Sequence, residues 1–242
     1  MQASSPKIED GLCLYAIGDI HGHKDKLQQI MAAIIEDARQ QRDEIKRLVF
    51  LGDYIDRGPD SKGVIEYLLH DLPPSYQTVF IRGNHEDVLL RILNGETERI
   101  ASWMPFGAAA CFTSYGVNPF RPYLRETPEI LQAELSHQMP PDHLQFLEDT
   151  LLSHVSGDYY FVHAGVRPNI ALSQQDTNDL LWIRDEFLTS KKDFGKIVVH
   201  GHSISEKPDI QINRIGIDTG AYATGKLTAL KLRGCERQFF TT

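Results

Sequence analysis

The chain has 242 residues, 41% of them hydrophobic, enough for one α/β domain (1–242) with a large core. Its formal charge of −8 argues against a nucleic-acid binder, a class that is usually basic. Cys13, Cys111 and Cys235 are too widely spaced to suggest a disulfide framework or a cysteine-based zinc site, and no apolar run is long enough to span a bilayer.

The N-terminus, Met1-Gln-Ala-Ser-Ser-Pro6, lacks a charged region followed by an apolar one. No signal peptide is expected, and a cytoplasmic location follows by default. Residues 1–11 are polar and predict a loose tail. Leu12–Ile17 is an apolar run, hence a buried strand, and ends in Gly18-Asp19-Ile20-His21-Gly22. Leu27, Ile30, Met31, Ile34, Ile35 and Ala38 then recur at helical spacing, predicting a helix over about 24–39. Leu48–Leu51 is a second strand, completing a βαβ unit, and ends in Gly52-Asp53-Tyr54-Ile55-Asp56-Arg57-Gly58. Ser61 is the expected cap of a helix carrying Val64, Ile65, Leu68 and Leu69. Thr78–Ile81 ends in Arg82-Gly83-Asn84-His85-Glu86, where another helix begins.

Periodicity weakens over 94–150, which is rich in Pro, Gly and aromatics (Trp103, Phe106, Phe112, Tyr115, Phe120, Tyr123). This predicts a helical insert over one edge of the site, closing with a helix from Pro141 to about Leu152. Tyr159–Val162 ends in His163-Ala164-Gly165, and Ile197–Val199 in His200-Gly201-His202. Asp179–Glu186 is a compact apolar element holding Arg184. The C-terminal part predicts short strands at about 210–214, 215–218, 227–232 and 237–240.

Five apolar strands thus deliver Asp, His or Asn at the same end. Isolated solvated turns would not select metal-ligand residue types five times. A two-metal site needs such a collection of nitrogen and oxygen donors, beside glycines that let the backbone turn tightly.

The set GDxHG, GDxxDRG, GNHE, HAG and HGH resembles the metal-dependent phosphoesterases of the calcineurin-like superfamily, in family order from Gly18 to His202. Asp56-Arg57 and Glu86 make it most similar to the PPP-type serine/threonine protein phosphatases in their short bacterial and phage form. The resemblance implies an αββα sandwich of two mixed sheets flanked by helices, and two divalent metal ions about 3.5–4 Å apart. Manganese is the first choice, with iron or zinc as alternatives. By resemblance, Asp19 and His21 bind one metal, Asp53 bridges both, and Asn84, His163 and His202 bind the other. A hydroxide between the metals would attack phosphorus directly. Arg57 and Arg184, with Asn84, would hold the phosphoryl group. His85 diverges from its neighbour Asn84 and is cast as the general acid, with Asp56 orienting it.

His23, Arg82, His200 and Asp218 stay open: rim, brace or support of the ligands. His70, His137, His143 and His154 read as surface or satisfied core. The expected activity is hydrolysis of phosphoserine and phosphothreonine in a phosphoprotein substrate, with no nucleic-acid or membrane partner. The rivals are a dinucleoside tetraphosphate hydrolase of the same superfamily, a broad-specificity phosphatase, and a non-catalytic binding module. Asp56 and the Glu of Asn84-His85-Glu86 are read as favouring the protein phosphatase over the first rival.

Overall fold

The apolar runs are strands buried on both faces, which is why they lack a period of two. In the computed structural model, which describes residues 5–40, 44–120 and 127–242, they form two five-stranded mixed sheets. The strands are β1 (Leu12–Ile17), β2 (Ile45–Phe50), β3 (Gln77–Phe80), β4 (Ser153–Ser156), β5 (Tyr159–Val162), β6 (Ile197–His200), β7 (Asp209–Ile210), β8 (Arg214–Gly216), β9 (Thr228–Arg233) and β10 (Glu236–Thr241). One sheet has the order β10-β9-β1-β2-β3, with β1, β2 and β3 parallel. The other has the order β4-β5-β6-β8-β7, with β5, β6 and β8 parallel.

Alternate residues divide between two kinds of packing. Leu14 and Ala16 of β1, Val49 of β2, Phe161 of β5 and Val199 of β6 share one cluster between the sheets. Tyr15, Ile17 and Phe50 face outward onto Leu27, Ile30, Met31 and Ile34 of α1 (Lys24–Ala38). Tyr160, Val162 and Val198 face the other way, onto α8 (Thr177–Trp182) and α9 (Asp185–Leu188) through Leu180 and Phe187. The result is the expected αββα sandwich. Truncating a ring such as Phe161 to Ala would open a void between the sheets, at a cost of about 3–5 kcal/mol.

The remaining helices pack on the first sheet: α2 (Ser61–His70), α3 (Asn84–Leu93), α4 (Arg99–Trp103), α5 (Ala108–Ser114), α6 (Pro128–Gln138), α7 (Pro141–Glu148) and the short α10 (Ala221–Thr224). Within 94–150, Trp103, Phe112 and Tyr115 are buried, whereas Phe106 and Phe120 are exposed. Tyr123 lies outside the described residues.

Local readings differ from the structure at four places. Residues 5–11 are not loose: Ile8 is fully buried, its N–H donates to Gly234 O at 2.9 Å, and Lys7 N donates to Asp158 at 2.9 Å. The α2 cap is Asp60, whose carboxylate accepts from Gly63 N at 2.8 Å. Ser61 instead turns its hydroxyl to accept from Asp56 N at 2.9 Å, bracing the site loop. The closing insert helix stops at Glu148, and a polar edge strand, β4, follows; its sequence, SHVS, carries no apolar run. Residues 211–213 are a turn rather than a strand, closed by Gln211 N donating to Arg214 O at 2.8 Å, which leaves Ile212 exposed.

Candidate metal centre

Each parallel strand ends where its chain must turn sharply, and the site residues occupy those turns. Among the described residues, six that are not glycine have φ in the left-handed region. Five of them are His21, Asp53, Asp56, Arg57 and His202. Side chains rarely adopt that backbone, so the surrounding structure must impose it. Gly52, at φ 96°, passes so close to Gly83 that a Cβ there would lie 2.4 Å from Gly83 N. A Cβ on Gly83 would in turn lie 2.1 Å from Asp53 Oδ1.

Glu86 holds this turn together. Its buried carboxylate accepts from Gly83 N, Asp53 N and Tyr54 N, each at 2.8 Å, and from Ile55 N at 3.3 Å. The α3 N-terminus also points at Asp53, with His85 N donating to its Oδ1 at 3.2 Å. Both effects favour negative charge on Asp53. Burial would raise its pKa, but the imidazoles of His163, His85 and His21 outweigh burial and hold it below the usual carboxylate range.

The two oxygens of Asp53 face different histidines. His21 Nε2 lies 3.4 Å from Oδ2, and His163 Nε2 lies 3.4 Å from Oδ1. Two buried groups with metal-ligand geometry therefore share this carboxylate: His21–Asp53–His85 and Asp53–His163–His202. The tautomers suit ligation. His21 Nδ1 donates to Ile55 O at 2.9 Å and His163 Nδ1 to Leu51 O at 2.8 Å, leaving each Nε2 as an acceptor. Burial pushes His21 down to about 3 and His202 to about 2, so both stay neutral, the form that binds a cation.

Asn84 Oδ1 is 2.9 Å from His163 Nε2, at the same centre. Asp19 stands beside the His202 turn, where one oxygen accepts from His202 N at 2.9 Å. Its other oxygen, and His202 Nε2, are buried without a protein partner. Burial, then the charges of Asp218 and Asp53, push the Asp19 carboxyl well up. A convergence of carboxylates and unprotonated imidazoles with orphaned acceptors fits divalent cations.

The residue-family profile described as calcineurin-like phosphoesterase matches residues 14–231. The chain is a calcineurin-like phosphoesterase. Among its relatives are proteins named asymmetrical bis(5'-nucleosyl)-tetraphosphatase PrpE. The one from Oceanobacillus iheyensis is 26% identical, covering 89% of this chain and 86% of that one. The one from Anoxybacillus flavithermus is 26% identical, covering 89% and 88%. A solved structure of a candidate diadenosine tetraphosphatase superposes with a TM-score of 0.62 at 19% identity, covering 98% of both chains. A cold-active protein tyrosine phosphatase superposes with a TM-score of 0.53 at 14% identity, covering 96% of this chain and 81% of that one.

These relatives overturn the expectation of a serine/threonine protein phosphatase acting on a phosphoprotein: they are named as nucleotide hydrolases. The features that suggested the protein phosphatase have a structural explanation in this phosphoesterase. Glu86 is wholly occupied with backbone N–H groups, and Asp56 is fully buried, its Oδ2 2.5 Å from His85 Nδ1. Both face inward, and neither lines the cavity that a substrate would enter.

The phosphoesterase opens on one cavity of about 480 Å³, lined by His21, Asp53, Arg57, Asn84, His85, Arg184, His202 and Asp218. Arg57 lies over the Tyr222 ring, 4.1 Å from its centroid, and Arg184 Nη1 is 3.4 Å from Ser203 Oγ. Burial would lower the His85 pKa, but the Asp53 charge and the Asp56 hydrogen bond and charge raise it to about 9. The residues left open in the sequence now have places. Arg82 is a brace, bonding Thr150 Oγ1 at 2.9 Å and Glu148 O at 2.8 Å. His200 is a core histidine, its Nδ1 donating to Gly201 O at 3.0 Å and its Nε2 beside Arg214. Asp218 lines the cavity; burial pushes it up to about 6. His23 pairs with Asp25 at 3.8 Å, away from the cavity lining.

Arg99, Trp103, Phe106, Trp182 and Tyr222 also line the cavity. Sequence reasoning named none of them individually as a site residue, although Trp103 and Phe106 belong to the insert expected over one edge of the site. None lies in a motif, and the first three belong to a segment without clear periodicity.

Proposed function

We propose that this phosphoesterase hydrolyses dinucleoside tetraphosphates asymmetrically, releasing a nucleoside triphosphate and a nucleoside monophosphate. The observation that carries the reading is the cavity lining: three guanidiniums, from Arg57, Arg99 and Arg184, among four aromatic side chains. A phosphomonoester calls for one phosphate clamp. Several phosphates between two aromatic bases call for repeated cations and apolar faces. The names of the relatives support the same reading. A cytoplasmic location goes with a nucleotide substrate.

In this reading Asp19, His21 and Asp53 hold one divalent metal, and Asp53, Asn84, His163 and His202 the other. The mix of imidazole and carboxylate suits manganese, iron or zinc better than magnesium or calcium. The metals would supply a nucleophile from water at neutral pH and Lewis-acid neutralisation of phosphoryl charge. Arg57 and Arg184 hold the phosphoryl oxygens as charge develops on them. His85 presents Nε2 to the leaving oxygen while Asp56 fixes Nδ1.

The deciding experiment compares turnover of diadenosine tetraphosphate, phosphoserine peptide and phosphotyrosine peptide, with nucleotide products separated chromatographically. The expected result is preferred turnover of the dinucleotide, giving ATP and AMP in equal amounts. Preferred turnover of either peptide, or two molecules of ADP as products, would overturn the reading.

A further inference from the structure

Two tryptophans line the cavity, and they differ. Trp103 is 3% exposed and packs into the helical core against Phe112, with ring centroids 6.0 Å apart. Trp182, the last residue of α8, is 42% exposed and belongs to none of the buried clusters. Its ring stands edge-on to His202, centroids 6.2 Å apart and planes at 83°. Ile204, from the turn after His202, lines the same cavity and is also half-exposed. Arg184, two residues beyond Trp182, lines it as well. One short segment therefore presents a guanidinium and an uncovered indole to the centre.

We propose that Trp182 is a nucleobase platform, stacking the base of the nucleotide whose phosphate is attacked. This rests on the dinucleotide reading above and names the residue that would enforce it. Trp182 adjoins His202, so a base stacked there is separated from a phosphorus at the centre only by its own ribose. That is the arrangement that makes the attacked phosphate the one bearing the nucleoside, and so makes cleavage asymmetrical. Stacking uses the π-face common to all bases, so diadenosine and diguanosine tetraphosphates should both be accepted.

The test compares kcat/KM for diadenosine tetraphosphate with that for glycerol phosphate, which has no ring, in wild type, Trp182→Ala and Trp182→Phe. The ratio should fall about tenfold or more in Trp182→Ala, through KM, and recover in Trp182→Phe. An unchanged ratio, or equal losses on both substrates, would overturn the platform. A second measurement stands apart from turnover: AMP titrated against the protein should quench tryptophan fluorescence. That quench should survive Trp103→Phe and vanish in Trp182→Phe; the reverse pattern, or no quench, overturns the platform. A wild type inert on diadenosine tetraphosphate would overturn the proposed function, and the AMP titration would still decide the platform.

Discussion

Asp53 is 2% exposed, sits at φ 51°, and is held by Glu86, the α3 N-terminus and a glycine at contact distance. Trp182 lines the same cavity, is 42% exposed, and ends a six-residue helix whose core packing is made by Leu180 and not by the indole. The inner loops are over-determined: strain, hydrogen bonds and burial all specify one geometry. The outer wall is under-determined, and its side chains are left for a ligand to cover. In the proposed function, chemistry and specificity fall to regions with different physical constraints. The same difference explains why a motif comparison reached the superfamily and misjudged the substrate.

The sharpest way to break that contrast is at the shared carboxylate. Asp53→Asn should abolish turnover on every substrate and lower the content of both metals, measured by elemental analysis. Chelation should abolish wild-type activity, and manganese should restore it. Full activity in a protein shown to hold no transition metal would sink the two-metal assignment.

His85→Asn should retain the metals and lose about 10²–10⁴-fold on an alkyl phosphomonoester, whose alkoxide must be protonated as it leaves. The loss on diadenosine tetraphosphate should be clearly smaller, because a departing triphosphate needs little help from an acid. Equal losses on the two substrates would remove His85 from the acid role.

Glu86→Asp tests whether an inner residue selects substrate. The shorter carboxylate cannot reach four backbone N–H groups together, so thermal denaturation should show a loss of about 1–3 kcal/mol. The preference between diadenosine tetraphosphate and glycerol phosphate should not move. A switch in preference without loss of stability would contradict the scaffold role.

The smallest effect belongs to the outer wall. Arg99 is partly exposed and paired with Glu96. Arg99→Gln should raise KM for diadenosine tetraphosphate by roughly two- to fivefold, an effect that shrinks in high salt. Insensitivity to both the substitution and salt would place Arg99 outside the phosphate path.

The fold was largely legible because its strands are covered on both faces. A strand such as Leu12–Ile17 must be apolar at every position, and that leaves a continuous run in the sequence. Edge strands escape this requirement, which is why β4, with the polar sequence SHVS, went unread. The candidate donors were legible for a related reason. Each lies just past an apolar run with a glycine within two or three residues, because a donor at a strand end needs a tight turn beside it.

Sequence alone therefore determined the sandwich and the superfamily, and it picked out candidate donors that gather around Asp53. Tertiary structure decided which donors meet. It turned each oxygen of Asp53 to a different histidine, set His200 into the core while His202 reached the centre, and used Glu86 as a brace. It also brought Arg99, Trp182 and Tyr222 to one cavity from elements distant in the chain. Local residue type and spacing record what a turn must be made of. Convergence of side chains across separate elements is a property of packing, and no stretch of the chain encodes it by itself.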